Sequence, residues 1–372
     1  MDKNEILDKL ASRTMSRREF KKVLASVGLT VAAAPLMPKA LRAAADDHPM
    51  VFTWSGYEEE GFHQEYLKKH GESPNFSFFG DEEEAFAKMR AGFKPDVTMP
   101  CSYKIPQWKD AGIIKPIDTS RLSNWDSIVP SLKTVPGTVF EGKNYWICQD
   151  WGQTSITYRT DLVDIEEESW GLLWDERYAG RMSMIDSLID GVMVAAIYGG
   201  AKDPFNMTDA EVDMAKELLR KQLPLLRYYS NSMTDVEQAL ASGELVAGVT
   251  WNSSFLNLTN EGLPVKFMTP KEGAMTWTCG LCLMEGGDPA KEDLAYDIID
   301  AQISADAGKY EIEEWGYGHA NAKAYDLVDA ETLAKRGLTK NPDDLLTSGI
   351  FQAPIGNEPV LQTMFEEVKA GV

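Results

Sequence analysis

From residue 50 onward, short apolar runs of strand length alternate with segments of helical spacing, and few folds accept that order. Met50-Val51-Phe52-Thr53-Trp54 stops at Ser55-Gly56, and the stretch from Glu58 to His70 then carries Phe62, Tyr66 and Lys69 at helical intervals. The unit recurs as a strand Phe76 to Phe79, a helix Asp81 to Ala91 and a strand Asp96 to Met99, closed by the loop Pro100-Cys101-Ser102-Tyr103. Further on, helices are expected at Asp190 to Tyr198, Asp209 to Lys221, Thr234 to Ser242 and Asp293 to Ser304. Strands are expected at Leu245 to Trp251, Val265 to Met268 and Met275 to Met284. The pattern predicts an α/β chain with an open, largely parallel sheet covered by helices. Ligands of such sheets sit outside the carboxyl ends of the strands, where Trp54 and Tyr103 fall.

With 372 residues, 44% hydrophobic and 26% charged, the chain has material for two domains. A formal charge of −21 opposes nucleic acid and anionic lipid and favours small cations as partners. Four cysteines are too few for a disulfide framework, and His48, His63, His70 and His319 have no metal-ligand spacing.

The first 45 residues read as an address. Ser16-Arg17-Arg18-Glu19-Phe20-Lys21-Lys22 precedes a mild apolar run, Val23 to Met37, and Ala43-Ala44-Ala45 marks the expected cleavage. The arginine pair resembles the twin-arginine signal of bacterial export, which carries folded proteins. Removal of residues 1–45 takes nine basic and four acidic residues and leaves 28 against 54, so a soluble periplasmic product of charge −26 is expected.

Catalytic motifs are missing. The sequence has no G-x-S-x-G elbow, Walker loop, H-E-x-x-H or dinucleotide fingerprint. Cys279-Gly280-Leu281-Cys282 has redox spacing but lies in an expected strand, where residues three apart face opposite ways. Asp186 and Asp190 fit solvated or cation-pairing carboxylates better than an acid/base pair. The informative residues are aromatic. Trp54-Ser55-Gly56-Tyr57, Ser102-Tyr103, Trp251-Asn252-Ser253-Ser254, Thr276-Trp277-Thr278 and Trp315-Gly316-Tyr317 all set rings beside small polar residues at strand ends. Converging rings attract a cation by about 0.5–2 kcal/mol each.

These segments in this order (W-x-x-Y, P-x-S-Y, W-N-S-S-F, K-E-G-x-x-x-W and W-G-Y) resemble the periplasmic spermidine/putrescine-binding proteins of ABC importers along residues 50–372. The resemblance implies a two-lobed type II periplasmic-binding-protein fold that closes on a solute and delivers it to an inner-membrane permease, with no cofactor and as a monomer. Transferred to this chain, lobe 1 covers 46–152 plus 279–325 and lobe 2 covers 153–278 plus 326–372, with hinges near Gly152 to Thr154 and Thr278 to Gly280. It also implies a cleft walled by Trp54, Tyr57, Tyr103, Trp251, Trp277 and Tyr317, with Gln352 as a polar contact and Asp190 as an acid. Two positions that carry acids in polyamine binders hold Ser187 and Cys279 here, with Asp186 as a substitute acid beside the first. A buried ammonium without an acid is costly, whereas a methylated onium needs mainly aromatic faces. The expected solute is therefore a quaternary ammonium or sulfonium compound, with putrescine or spermidine as the alternative and a periplasmic cofactor enzyme as a remote one.

Overall fold

The computed structural model describes residues 47–230, 232–346 and 349–371. The expected export signal lies outside them, and the body described below begins at His48. Its strands run in chain order β1 (Met50–Trp54), β2 (Asn75–Phe79), β3 (Val97–Thr98), β4 (Ile114–Lys115), β5 (Val139–Phe140), β6 (Lys143–Asn144) and the long β7 (Ile147–Arg159). They continue as β8 (Met182–Ile185), β9 (Leu226–Ser230), β10 (Ala247–Trp251), β11 (Val265–Phe267), β12 (Met275–Met284), β13 (Gly318–His319) and β14 (Ile350–Phe351).

The main sheet has the order β2-β1-β3-β12-β7-β10-β8-β9. Its two ends are parallel, β2-β1-β3 on one side and β10-β8-β9 on the other. The middle departs from the expected parallel order, because β12 runs antiparallel to both β3 and β7, and β7 antiparallel to β10. At each end the strands lie between helices. Val51 and Phe52 of β1 and all four residues of β8 are buried, the continuous apolar type that a doubly covered strand requires.

Several helices start where hydroxyl or carboxylate side chains replace the missing intrahelical bonds. Asp81 caps Glu82–Arg90, Ser187 caps Leu188–Tyr198, and Thr208 with Glu211 forms a capping box at Asp209–Gln222. The helix Leu188–Tyr198 starts two residues before the expected Asp190, because its cap is the hydroxyl just ahead of it.

Two main cores result. One gathers side chains from β1, β3, the first half of β7 and most of β12; the other gathers Ile156 and Tyr158 of β7, Met275 of β12, and the helices Leu188–Tyr198 and Glu358–Lys369. Strands β7 and β12 each enter both cores, paired through Trp277–Gly152 and Met275–Thr154. Val328, Leu333, Leu338 and Leu346, expected with the second lobe, pack into the first core. The chain returns to the second only beyond Leu346. Trp108, Trp146, Trp151 and Trp170 are fully buried, so four of the ten tryptophans build the cores instead of a site.

Candidate functional site

The loop after β1 sets two of the expected rings. Trp54 is half-buried, donates its indole N–H to the Met99 carbonyl at 3.0 Å and packs its edge on Phe79. Gly56 has φ +109°, and a Cβ there would lie 2.4 Å from the Trp315 ring, so this position requires glycine on both counts. Tyr57 follows, buried, with its ring against Phe62 and Trp315 and its hydroxyl donating to the Asp150 carboxylate.

The rings at the end of β12 and ahead of β13 meet. Trp277 and Tyr317 are edge to face at 4.8 Å, and Trp315 lies 6.2 Å from Tyr317. Trp277 rests on Gly152, where a Cβ would come within 2.2 Å of the indole. The Tyr317 and Ser253 hydroxyls are bonded at 3.0 Å, while Asn252 donates to the Gly316 carbonyl at 2.8 Å and accepts from the Gln153 N–H at 3.1 Å. Trp251, the residue ahead of the helix Asn252–Asn260, packs partly against both cores. Tyr57, Trp277 and Tyr317 are thus joined into one group through Trp315, and Trp251 heads the segment that holds its Asn252 and Ser253.

Tyr103 comes from the first half of the chain but packs on the second core. Its hydroxyl donates to Glu82, whose carboxylate also accepts the Cys101 N–H at 2.6 Å. Burial pushes Glu82 up to about 7 even though both bonds favour its charged form. Asp190 is buried at the start of its helix and accepts the Ser187 hydroxyl at 2.6 Å, with Thr154 of β7 beside it. Burial raises its pKa, and its charge is felt at Tyr103. Gln352 is buried next to β12, its N–H on the Thr276 carbonyl at 2.8 Å.

Three expected residues have other duties. Cys279 is joined to Cys101 in a disulfide, which tethers the β3 loop to β12. Four cysteines are too few for a framework, yet they supply this one crosslink, which removes Cys279 as a free side chain in the site. Ser187 is a helix cap, and Asp186 is ion-paired with Lys369 at 2.7 Å. Cys148 and Cys282 are free and buried. Among the described residues no group of three or more His, Cys, Asp or Glu side chains is arranged for a metal.

The sequence reading missed Glu82, Asp150 and Trp315. Trp315 stood in a quoted motif and was not carried into the site, whereas acids at 82 and 150 resemble any solvated carboxylate until their burial is known.

Residues 62–340 match the family model described as bacterial extracellular solute-binding protein. The spermidine/putrescine-binding periplasmic protein of Salmonella typhimurium is 25% identical over 351 residues, covering 92% of this chain and 97% of that protein. A putrescine/agmatine-binding protein of Pseudomonas aeruginosa is 26% identical over 371 residues, 94% of this chain and 97% of its own. In structure, the spermidine/putrescine ABC transporter substrate-binding protein PotD of Streptococcus pneumoniae superimposes with a TM-score of 0.74 at 17% identity, covering 87% of this chain and 98% of that one. The fold is accordingly that of the two-lobed periplasmic binding proteins, and the chain belongs to the bacterial extracellular solute-binding proteins.

Proposed function

We propose that this protein captures a polyamine, putrescine or spermidine, in the periplasm and hands it to an ABC permease of the inner membrane. The observation that carries the reading is the joining of Tyr57, Trp277 and Tyr317 into one aromatic group with a buried carboxylate, Asp150, hydrogen-bonded directly to one of them. Aromatic faces stabilise the methylene chain and the cationic ends of such a solute, and a carboxylate supplies the counter-charge. Asp190, with Tyr103 nearby, is the second acid of the site. The names of the relatives point the same way.

The lobes we propose are residues 48–152 with 277–346, and 153–276 with 349–371, hinged where β7 and β12 pass between cores. Residues 1–45 act as the export signal, and the arginine pair assigns it to the folded-protein route.

One observation favours a second reading. Two positions that carry acids in polyamine binders hold a helix cap, Ser187, and a disulfide half, Cys279, which leaves fewer acceptors for N–H groups and suits a quaternary ammonium or sulfonium solute. Titration calorimetry with putrescine, spermidine, choline and glycine betaine decides between them. Tight binding of a diamine and none of choline supports the polyamine reading; the reverse establishes the onium.

A further inference from the structure

Strand β7 carries Asp150 into the middle of the sheet, where it faces Cys279 of β12 on one side and His319 of β13 on the other. The helix Ala305–Glu314 brings Glu311 against it, one turn before the segment Trp315-Gly316-Tyr317. Both acids are fully buried. Asp150 has the Tyr57 hydroxyl on one oxygen, and its carboxyl group and that of Glu311 are within hydrogen-bond reach of each other. The groups facing the pair are Tyr57 from the β1 loop, Cys148 on β7, Tyr317 and Tyr325, and none is a cation. His319 does not serve as one, because burial lowers it to about 4; it is bonded to the Gln302 carbonyl and accepts the Asn321 N–H.

Two carboxyl groups buried together without a cation stay neutral, since ionising either leaves an uncompensated charge out of water. Asp150 is bonded to one ring of the aromatic group proposed to receive an ammonium, and the charge of either acid is felt at both Tyr57 and Tyr317. From this we infer that the pair is the site's exchangeable counter-charge: as a cationic end of the solute settles on Tyr57 and Tyr317, Asp150 gives its proton to the solvent and Glu311 keeps its own. One positive charge enters and one leaves, so the buried charge is unchanged. The inference rests on the polyamine reading for the identity of the cation. The direction of titration agrees with it. Burial pushes Asp150 up to about 7, and burial beside Asp150 holds Glu311 well above the ordinary carboxyl range.

Calorimetry with putrescine in buffers of different ionisation enthalpy counts the protons released. Putrescine's amines titrate near 10, like lysine's, and contribute none at neutral pH. Close to one proton should leave at about pH 6 and almost none at about pH 8.5, with affinity falling up to tenfold per pH unit below about 7. Asp150→Asn keeps an acceptor for Tyr57 while removing the titrating acid. It should bind about ten- to a hundredfold more weakly and show a flat pH profile, which a purely structural role would not produce. Tight binding of putrescine with no proton release at about pH 6 overturns the inference and leaves the polyamine reading standing. If putrescine and spermidine fail and choline binds, the polyamine reading falls and the same count is made with choline. Failure of all three removes both.

Discussion

At the scale of single residues, Trp277 packs on Gly152 and Tyr317 and so is central to the proposed aromatic group. Trp277→Ala should weaken solute binding by about 1–3 kcal/mol with the circular dichroism spectrum unchanged. Unfolding of the variant, or unaltered binding, would mark the ring as core. Tyr317→Phe removes only the bond to Ser253 and should lose about 1 kcal/mol by the same calorimetry. These aromatics were legible in the sequence because each stands beside small polar residues at a strand end. The disulfide was not: Cys101 and Cys279 are 178 residues apart, and only the pairing of the β3 loop with β12 brings them together. A crosslink closing so long a loop should stabilise the fold by about 2–5 kcal/mol. The double substitution Cys101→Ala and Cys279→Ala should therefore shift urea unfolding to a clearly lower midpoint, and an unchanged midpoint would show that the bond does not form in solution.

At the scale of elements, β7 and β12 differ in how openly the sequence announces them. Met275 to Met284 is mostly apolar and reads as a strand with the observed bounds. Ile147–Arg159 contains Gln149, Asp150, Thr154, Ser155 and Thr157, all buried, and so lacks both the alternation and the apolar run by which strands are recognised. Its polar residues are what a site-bearing strand needs and what hides it. The helices were clearer, because their apolar residues recur at helical spacing, although the cap at Ser187 went unread and its helix was expected two residues late. The crossing of β7 and β12 makes Gly152 a tight point of the proposed hinge, pressed against the Trp277 indole. Gly152→Ala places a Cβ inside the Trp277 ring, so the indole must move. Solute affinity should fall at least tenfold, roughly as much as on truncating the ring itself. Normal affinity in this variant would separate the hinge from the site.

At the scale of the whole molecule, two opposing sets of carboxylates determine how stability depends on pH. The set at or near the surface, including exposed Asp161 beside Arg159 and half-buried Asp175 beside Arg177 and Glu292 beside Lys115, has pKa values lowered by its partners. Its contribution is lost only as pH falls below about 4, and it is weakened by solvent. The buried set works in the opposite sense. Glu82 rises from 4.5 to about 7 and Asp150 from 3.8 to about 7, both chiefly through burial. In the unfolded chain these acids ionise near their ordinary values, whereas in the fold they keep their protons up to neutrality. The folded state thus binds more protons between about pH 4 and 7, and stability falls as pH rises through that window. The net charge of −21 adds to the trend, because self-repulsion grows as acids ionise. The ligand-free protein should melt at a higher temperature at about pH 5.5 than at about pH 7.5, the reverse of a protein stabilised by buried ion pairs. Scanning calorimetry on the wild type and on Glu82→Gln with Asp150→Asn separates the two causes. If the buried acids dominate, the double variant loses most of the slope; if net repulsion dominates, it keeps it. A melting temperature that rises from pH 5.5 to 7.5 would mean that both acids are charged in the fold.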